Sequence, residues 1–221
     1  MVGWRSRDTL RDTASMLKRV MDIGLSSLAL LFLLPLFAAI AVAIKLDSPG
    51  PVFFRQERIG RFGKPFRIFK FRTMIVNADK AGPSSTASDD PRITRMGKFI
   101  RRFNIDELPQ FINVLKGDMS IVGPRPQVPW AVDLYTEEER VILSVRPGIT
   151  DWATIWIRDE GEILRGSTDP DKDYLEKIWP EKRRLQLEYV RNHSILTDMT
   201  IMVRTFQTHL LDRILKKGTG Q

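Results

Sequence analysis

Between Arg101 and Pro126 the chain reads RRFNIDELPQFINVLKGDMSIVGPRP, where an adjacent carboxylate pair, Asp106 and Glu107, opens a short helical pattern with basic residues on both sides. Acids in a first helical turn ordinarily complement the helix dipole, for about 0.3 to 1 kcal/mol each, and an isolated Asp-Glu pair needs no other explanation. Two carboxylates side by side can also divide labour. One can hold a divalent cation while the other, kept ionised, attacks phosphorus to form an aspartyl-phosphate type adduct. Phosphoryl transfer then asks mainly for geometry and for cations facing the developing charge. Lys70, Arg72, Arg101, Arg125 and Arg158 are the candidates, although most Lys and Arg on a chain of net charge +8 are solvated surface. The Gly123 to Pro126 turn holds Arg125 on a stiff backbone.

The 221 residues leave room for one compact domain, or one domain with an anchor. Lys and Arg number 35 against 27 Asp and Glu, an excess that calls for an anionic partner: nucleic acid, a membrane face or a phosphorylated substrate. Cys is absent, which excludes a disulfide scaffold, a Cys-ligated zinc site and thiol catalysis. His193 and His209 are the only histidines, so a His-rich metal site is excluded as well.

From Ile23 to Ile44 no charge interrupts the run IGLSSLALLFLLPLFAAIAVAI. A straight helix of that length reaches about 33 Å, enough to cross a bilayer. Lys18, Arg19 and the Ala41-Val42-Ala43 triplet imitate a signal peptide, but an h-region normally stops at about 7 to 15 residues. A buried core helix is the other bland reading, and this length without polar relief argues against it. Pro35, near the middle, lacks an N–H and presses on the carbonyl of Leu31, at a cost of about 3 kcal/mol, so the helix is expected to bend or break there. Arg5, Arg7, Arg11, Lys18 and Arg19 precede the run; Lys45, Arg55, Arg58, Arg61 and Lys64 follow it. Positive residues on both flanks favour a re-entrant hairpin that leaves by the face it entered over a spanning helix.

The remainder predicts a mainly helical α+β fold, with residues 1–47 as anchor and 48–221 as one catalytic domain. VFFRQERIG and PFRIFKFRTM read as a small β-hairpin across the Gly60 to Gly63 turn. Residues Asn77 to Arg92 lack apolar periodicity and are expected to form a mobile loop. A basic helix is expected near Thr94 to Arg102, a second from Glu107 to Lys116, and a third opened by the Thr136–Glu139 capping box in TEEERVILSV. Further helices are expected near Lys172 to Ile178 and Glu181 to Arg191. Ile195, Met199, Met202, Phe206, Leu210 and Ile214 recur at helical spacing, a stripe that either packs on the domain or lies in a membrane interface.

The motifs occur in a telling order: KR-x-x-D at Lys18 to Asp22, the Pro-interrupted apolar helix, FFRQERIG, FRIFKFRTM, IDELPQFINVLKGDMSIVGPRP and VRPGITDWA from Val145 to Ala153. Over nearly the whole chain this resembles the monotopic phosphoglycosyl transferases, the bacterial sugar transferase family. The resemblance implies transfer of a sugar 1-phosphate from a UDP-sugar to polyprenol phosphate with release of UMP and a requirement for Mg²⁺. It implies Asp106 as the nucleophile and Glu107 as a magnesium ligand beside it. Lys70, Arg72, Arg101, Arg125 and Arg158 become the substrate-binding cations, and Pro35 the helix break. It further implies amphipathic interfacial helices, a location on the cytoplasmic face of the bacterial inner membrane, no nucleic-acid partner, and room for a homodimer. Two departures stand out: Leu34 where many members have Ser before the proline, and GITDWATIWIR where many read GITGWAQVNGR. The first bears on the detail of the bend; from the second, where Asp151, Trp156 and Ile157 replace smaller or polar residues, a different sugar or nucleotide fit is expected.

Two other classes compete. A non-catalytic, membrane-anchored basic module binding nucleic acid or an acidic partner has no need of Asp106 and Glu107, which without a metal repel phosphate. A direct glycosyltransferase uses the same donor but releases UDP.

Overall fold

The computed structural model describes residues 4–157 and 159–208, with side chains from Ser15 onward. The first element is α1, Trp4–Asp47. It runs through Pro35 without interruption, so of the expected bend or break the break does not occur. The proline removes one backbone bond, to the carbonyl of Leu31, while the Leu- and Ala-rich turns on either side keep theirs. Helix α1 is long and apolar enough to cross a membrane by length and composition. Asp22, Ser26, Ile40 and Ile44 are buried, whereas Leu28, Leu31, Phe32 and Leu34 are exposed.

The apolar run of α1, residues 23–44, is fastened to the rest of the protein at both of its ends. Just before the run, Lys18 Nζ donates to the carbonyl of Val122 and pairs with Asp198 at 2.5 Å. Arg19 Nη1 donates to the Val114 carbonyl at 2.7 Å, and the Ile121 N–H donates to Asp22 Oδ1 at 3.1 Å. Near its end, Ile40 and Ile44 pack with Phe71 and Ile100. Each such aliphatic side chain contributes about 1.5 to 3 kcal/mol on full burial.

Strands β1, Phe53–Ile59, and β2, Pro65–Phe71, form the expected antiparallel hairpin, with Phe53 opposite Phe71 and Ile59 opposite Pro65. Helix α2, Arg95–Arg102, is capped by Thr94, whose Oγ1 accepts from the Gly97 N–H. Gly97 lets α2 lie directly on the chain leaving β2, because a Cβ there would stand 2.0 Å from the Thr73 carbonyl oxygen. The helix expected from Glu107 to Lys116 is two elements: a 3₁₀ turn at Ile105–Glu107 and then α3, Gln110–Lys116. Pro109 explains the division, since it cannot donate to the preceding turn and stands as the N-cap of α3.

Two three-residue strands went unanticipated. Strands β3, Ser120–Val122, and β4, Gly148–Thr150, pair in parallel on either side of α4, Pro129–Asp133. The Thr136–Glu139 capping box forms, Thr136 N–H to Glu139 Oε2 at 2.8 Å and Glu139 N–H to Thr136 Oγ1 at 3.3 Å. It opens a 3₁₀ run, Glu139–Ser144, instead of an α-helix, and Val145 is already extended.

Helices α5, Trp152–Trp156, α6, Glu160–Ile163, α7, Pro170–Lys177, α8, Trp179–Asn192, and α9, Ile195–Phe206, complete the described fold. One core gathers Leu164, Tyr174, Ile178 and Trp179; another joins the strands to α8 and α9 through Ile68, Met119, Tyr189 and Ile201. Helix α9 therefore packs by Ile201 and leaves Leu196, Met199, Val203 and Phe206 exposed. Leu210 and Ile214 of the expected stripe lie outside the described residues. Segment 77–92 is irregular, yet it is cross-linked: Arg92 donates to the carbonyls of Ala78 and Pro83 and pairs with Asp90.

Candidate active site

A cleft of about 1500 Å³ opens between the hairpin, α2, the 3₁₀ turn before α3 and the Gly123 to Pro126 loop. Asn113 of α3, fully buried, braces the strand behind it. Its Oδ1 accepts from the Phe69 N–H and its Nδ2 donates to the Arg67 carbonyl, so the outer edge of β2 is closed by a side chain. That clamp carries the 3₁₀ turn to Lys70. Asn104, at φ 54°, reverses the chain just before the turn, a conformation Asn tolerates better than most residues.

Lys70 Nζ lies 2.8 Å from Glu107 Oε1 and 4.0 Å from Asp106 Oδ2. Arg125 forks onto the other side of Glu107: its Nη1 donates to Oε2 at 2.9 Å, and its Nη2 to Oε1. Gly123 and Gly148 make this reach possible, because a Cβ on Gly148 would stand 2.1 Å from the Gly123 nitrogen and push the loop off β4. Arg101 lines the same cleft, its Nε donating to Thr73 Oγ1 at 2.9 Å.

The two carboxylates are thereby treated differently. Burial alone would push Glu107 up, but Arg125 and Lys70 overcome it and hold the carboxyl well below the usual carboxylate range. Asp106 is buried too, and there burial wins: its carboxyl is pushed up, Lys70 opposing only in part and the Glu107 charge adding to the rise. Among the described residues no side chain hydrogen-bonds to Asp106, and its nearest cation is Lys70. Burial lowers Lys70, against the pull of Glu107, and lowers Arg101 likewise against Asp106. Arg125 moves the other way, since Glu107 more than offsets its burial.

Lys70, Arg101 and Arg125 thus meet Asp106 and Glu107 as the motif spacing anticipates. Arg72 lines the cleft but spends its donors on the turn after α1: Nε on the Pro51 carbonyl at 2.6 Å, Nη1 on Ser48 Oγ at 2.7 Å and Nη2 on the Ser48 carbonyl at 2.9 Å. Pro35 sits in the exposed middle of α1, outside the cleft lining. Arg158 lies outside the described residues.

Two further groups, Arg58 and Lys182, escaped the sequence reading, and a third, Asp151, entered it only as a departure. Arg58 lines the cleft beside Arg125, held by the Pro126 carbonyl and Gln56 Oε1, and burial followed by the Arg125 charge lowers it to about 10. Strand alternation could have found it, since Arg55 and Glu57 take the exposed positions of β1 and leave Arg58 facing inward. Lys182 of α8 pairs with Glu160 at 2.6 Å and donates to the Tyr174 hydroxyl at 3.0 Å, a contact no spacing rule announces. Asp151, one of the departures noted above, caps α5 through Thr154 and accepts from the Arg125 N–H and from Gln186 Nε2, each at 3.1 Å.

Comparison with known proteins identifies the family. A UDP-glucose:undecaprenyl-phosphate glucose-1-phosphate transferase of Escherichia coli strain K12 is 46% identical over 200 residues, 86% of this chain and 39% of that protein. A UDP-N-acetylgalactosamine-undecaprenyl-phosphate N-acetylgalactosaminephosphotransferase of Aeromonas hydrophila is 41% identical over 197 residues, 88% of this chain and 44% of that protein. The chain thus spans about two fifths of the length of these two relatives. The exopolysaccharide production protein PSS of Rhizobium leguminosarum bv. phaseoli is 42% identical over 204 residues, 88% of this chain and 95% of that protein. A family model described as bacterial sugar transferase matches residues 13–212, and the chain belongs to that family.

Proposed function

We propose that the chain is a phosphoglycosyl transferase that moves a sugar 1-phosphate from a UDP-sugar to polyprenol phosphate, through a covalent intermediate on Asp106, as the first membrane step of bacterial glycan assembly. One observation carries this: of two adjacent buried carboxylates, Glu107 is saturated by Lys70 and Arg125, while among the described residues no side chain hydrogen-bonds to Asp106, whose ion pair with Lys70 is 4.0 Å long. An Asp106 oxygen attacks the sugar-bearing phosphorus of the donor, and the bond from that phosphorus to the bridging oxygen breaks, releasing UMP. An oxygen of the carrier phosphate then attacks the same phosphorus and the acyl phosphate bond breaks, which restores Asp106. Arg125, Lys70 and Arg101 face the charge that builds on the phosphoryl oxygens in both steps. Arg72 braces the turn that joins α1 to the hairpin.

Magnesium suits the donor set, since Mg²⁺ is usually held by one or two carboxylates together with substrate phosphates. Asp106 would hold it, and Glu107 would join by giving up a cation contact. Bound there, the ion would neutralise phosphate charge.

The membrane helix is re-entrant in this reading, on the cytoplasmic face of the inner membrane, and since it is unbroken it turns back by a bend at Pro35. Support comes from its two ends, which dock on one body: Lys18, Arg19 and Asp22 on the β3 and α3 side, Ile40 and Ile44 on Phe71 and Ile100. A spanning helix would carry one end to the far side. Cysteines introduced for the exposed residues Met16 and Lys64 should both react with an impermeant reagent from the cytoplasmic side only; reaction of either from outside means the helix spans.

For the chemistry, purified protein incubated with radiolabelled UDP-sugars should release UMP and trap a protein-bound phosphosugar. Asp106→Asn should do neither while inserting and folding normally. Release of UDP instead would make the protein a direct glycosyltransferase.

A further inference from the structure

The mouth of the cleft carries apolar side chains that folding has left uncovered. Ile75 is 50% exposed, Val76 47% and Phe99 55%, and all three line the cleft that holds Asp106. Phe103 joins them, its ring centroid 5.3 Å from that of Phe99. Lys98 and Arg102, from the same helix, are exposed and line the cleft too. Hydrocarbon and positive charge therefore stand together at one opening, and an exposed cluster of this kind ordinarily marks a binding surface.

The location of this rim is fixed by backbone contacts. The Thr94 N–H donates to the Thr73 carbonyl and the Ile75 N–H to the Arg92 carbonyl, each at 3.0 Å, which ties segment 73–76 to the start of α2. Helix α2 is in turn tied to the end of α1, where the Met96 N–H donates to Asp47 Oδ2 at 3.1 Å and Ile100 packs on Ile44. Val76 touches the turn that follows α1, since a Cβ on Gly50 would stand 2.6 Å from its Cγ2. The last turns of α1 expose Val42 and Leu46 at 58% and 83%. Exposed apolar residues thus stand both on the last turns of α1 and on the rim tied to them, and the rim also carries cations.

We propose that Ile75, Val76, Phe99 and Phe103, with Lys98 and Arg102, receive the hydrocarbon chain and guide the phosphate of an anionic isoprenoid lipid, the acceptor, on its way to Asp106. This rests on the transferase reading given above. A nucleotide donor offers a flat base that stacks on an aromatic ring but no aliphatic chain to cover Ile75 and Val76 as well, and the rim is tied to the end of α1, so the occupant is the lipid substrate. Its chain stays on the rim and in the bilayer while its phosphate enters the cleft.

The test uses the full chain in detergent micelles, with the double variant Ile75→Ser, Phe99→Ser, both at exposed positions. Formation of the phosphosugar adduct from the donor should be unchanged, which also reports correct folding. With a two-isoprene phosphate acceptor, kcat/KM should stay within about twofold, whereas the KM for an eleven-isoprene acceptor should rise about tenfold. Phe99→Leu should keep most of the wild-type KM. An unchanged KM for the long acceptor overturns the proposal, as does an equal loss with both acceptors, which would mean that the rim shapes the site itself. Weakened sedimentation with phospholipid vesicles alongside a normal long-chain KM in micelles also overturns it, making the rim a bilayer contact only. Absence of adduct and of UMP release in the wild-type protein would instead remove the transferase reading, and this proposal with it.

Discussion

Two sets of buried charge face the same cleft and are built differently. On the helical side, Lys182 and Glu160 form a matched pair, 2.6 Å apart, and the Tyr174 hydroxyl oxygen accepts a further hydrogen bond from the ammonium. On the hairpin side, Glu107 draws two cations to itself and Asp106 is left beside them with a carboxyl pushed up by burial. The first arrangement resembles structure: charges paired one to one across α6 and α8, next to the Tyr174–Trp179 core. The second holds a carboxylate in a state the fold does not reward, which is how a nucleophile is kept available.

The largest effect expected from this contrast is at Asp106. Asp106→Asn should lower phosphosugar transfer by about 10³-fold or more, while stability at neutral pH rises by about 1 kcal/mol. The sign follows from the pKa direction. With its folded value raised, the stability contributed by Asp106 is present below the ordinary carboxylate value, near 3.9, and is lost as the pH rises through the raised one. The amide has no such loss. Glu107 behaves oppositely: its folded value is lowered, so its contribution is complete above the ordinary value, near 4.3, and fails as the pH falls below it. Thermal unfolding of Asp106→Asn across pH checks this, and a variant less stable than wild type at pH 7 would make Asp106 part of the architecture.

Lys182→Met comes next, and it should act on the other quantity. It strands Glu160 and empties the hydrogen bond to Tyr174, for a loss of about 3 kcal/mol, the lower end for a broken buried pair because Glu160 is 38% exposed in its side chain. Turnover per folded molecule should change by less than about threefold. Denaturant melts with activity measured on the folded fraction separate the two; a well-folded, inactive Lys182→Met would bring the pair into the chemistry.

How far these features could be read from the sequence depends on the range of the interaction. The hairpin was legible because the Gly60 to Gly63 turn and the alternation around it are local, and α2 because Thr94 caps it within three residues. Asp106, Glu107 and Arg125 were legible as an ordered motif. What Arg125 grips was not, since its contact with Glu107 depends on Gly123 meeting Gly148 across two strands only three residues long. Arg72 was legible as a cation near the site, but its partners, Ser48 and Pro51, follow from where α1 ends. Pro109 was a visible breaker, and its position between the 3₁₀ turn and α3 was missed because one apolar period spans both.

Asp151 gives the smallest effect and the sharpest probe of how the hairpin side is held. Its Oδ1 serves α5, accepting from the Thr154 N–H at 2.7 Å, while its Oδ2 accepts from the Arg125 N–H and from Gln186 Nε2. Gln186 Oε1 is buried without a partner, so in Asp151→Asn the new amide can donate to a flipped Gln186. The Arg125 N–H then loses its acceptor and the loop that carries the guanidinium to Glu107 loosens. An expected fall of about tenfold in kcat, about 1.4 kcal/mol in the barrier, with donor KM little changed, would mark Asp151 as a positioning residue. Gln186→Leu supplies the contrast, because it removes one donor from the same oxygen but leaves the Arg125 N–H bound, so its kcat should stay within about twofold even though the protein is destabilised. Equal losses of kcat in the two variants would mean that the packing of α8, and not the hold on Arg125, sets the rate.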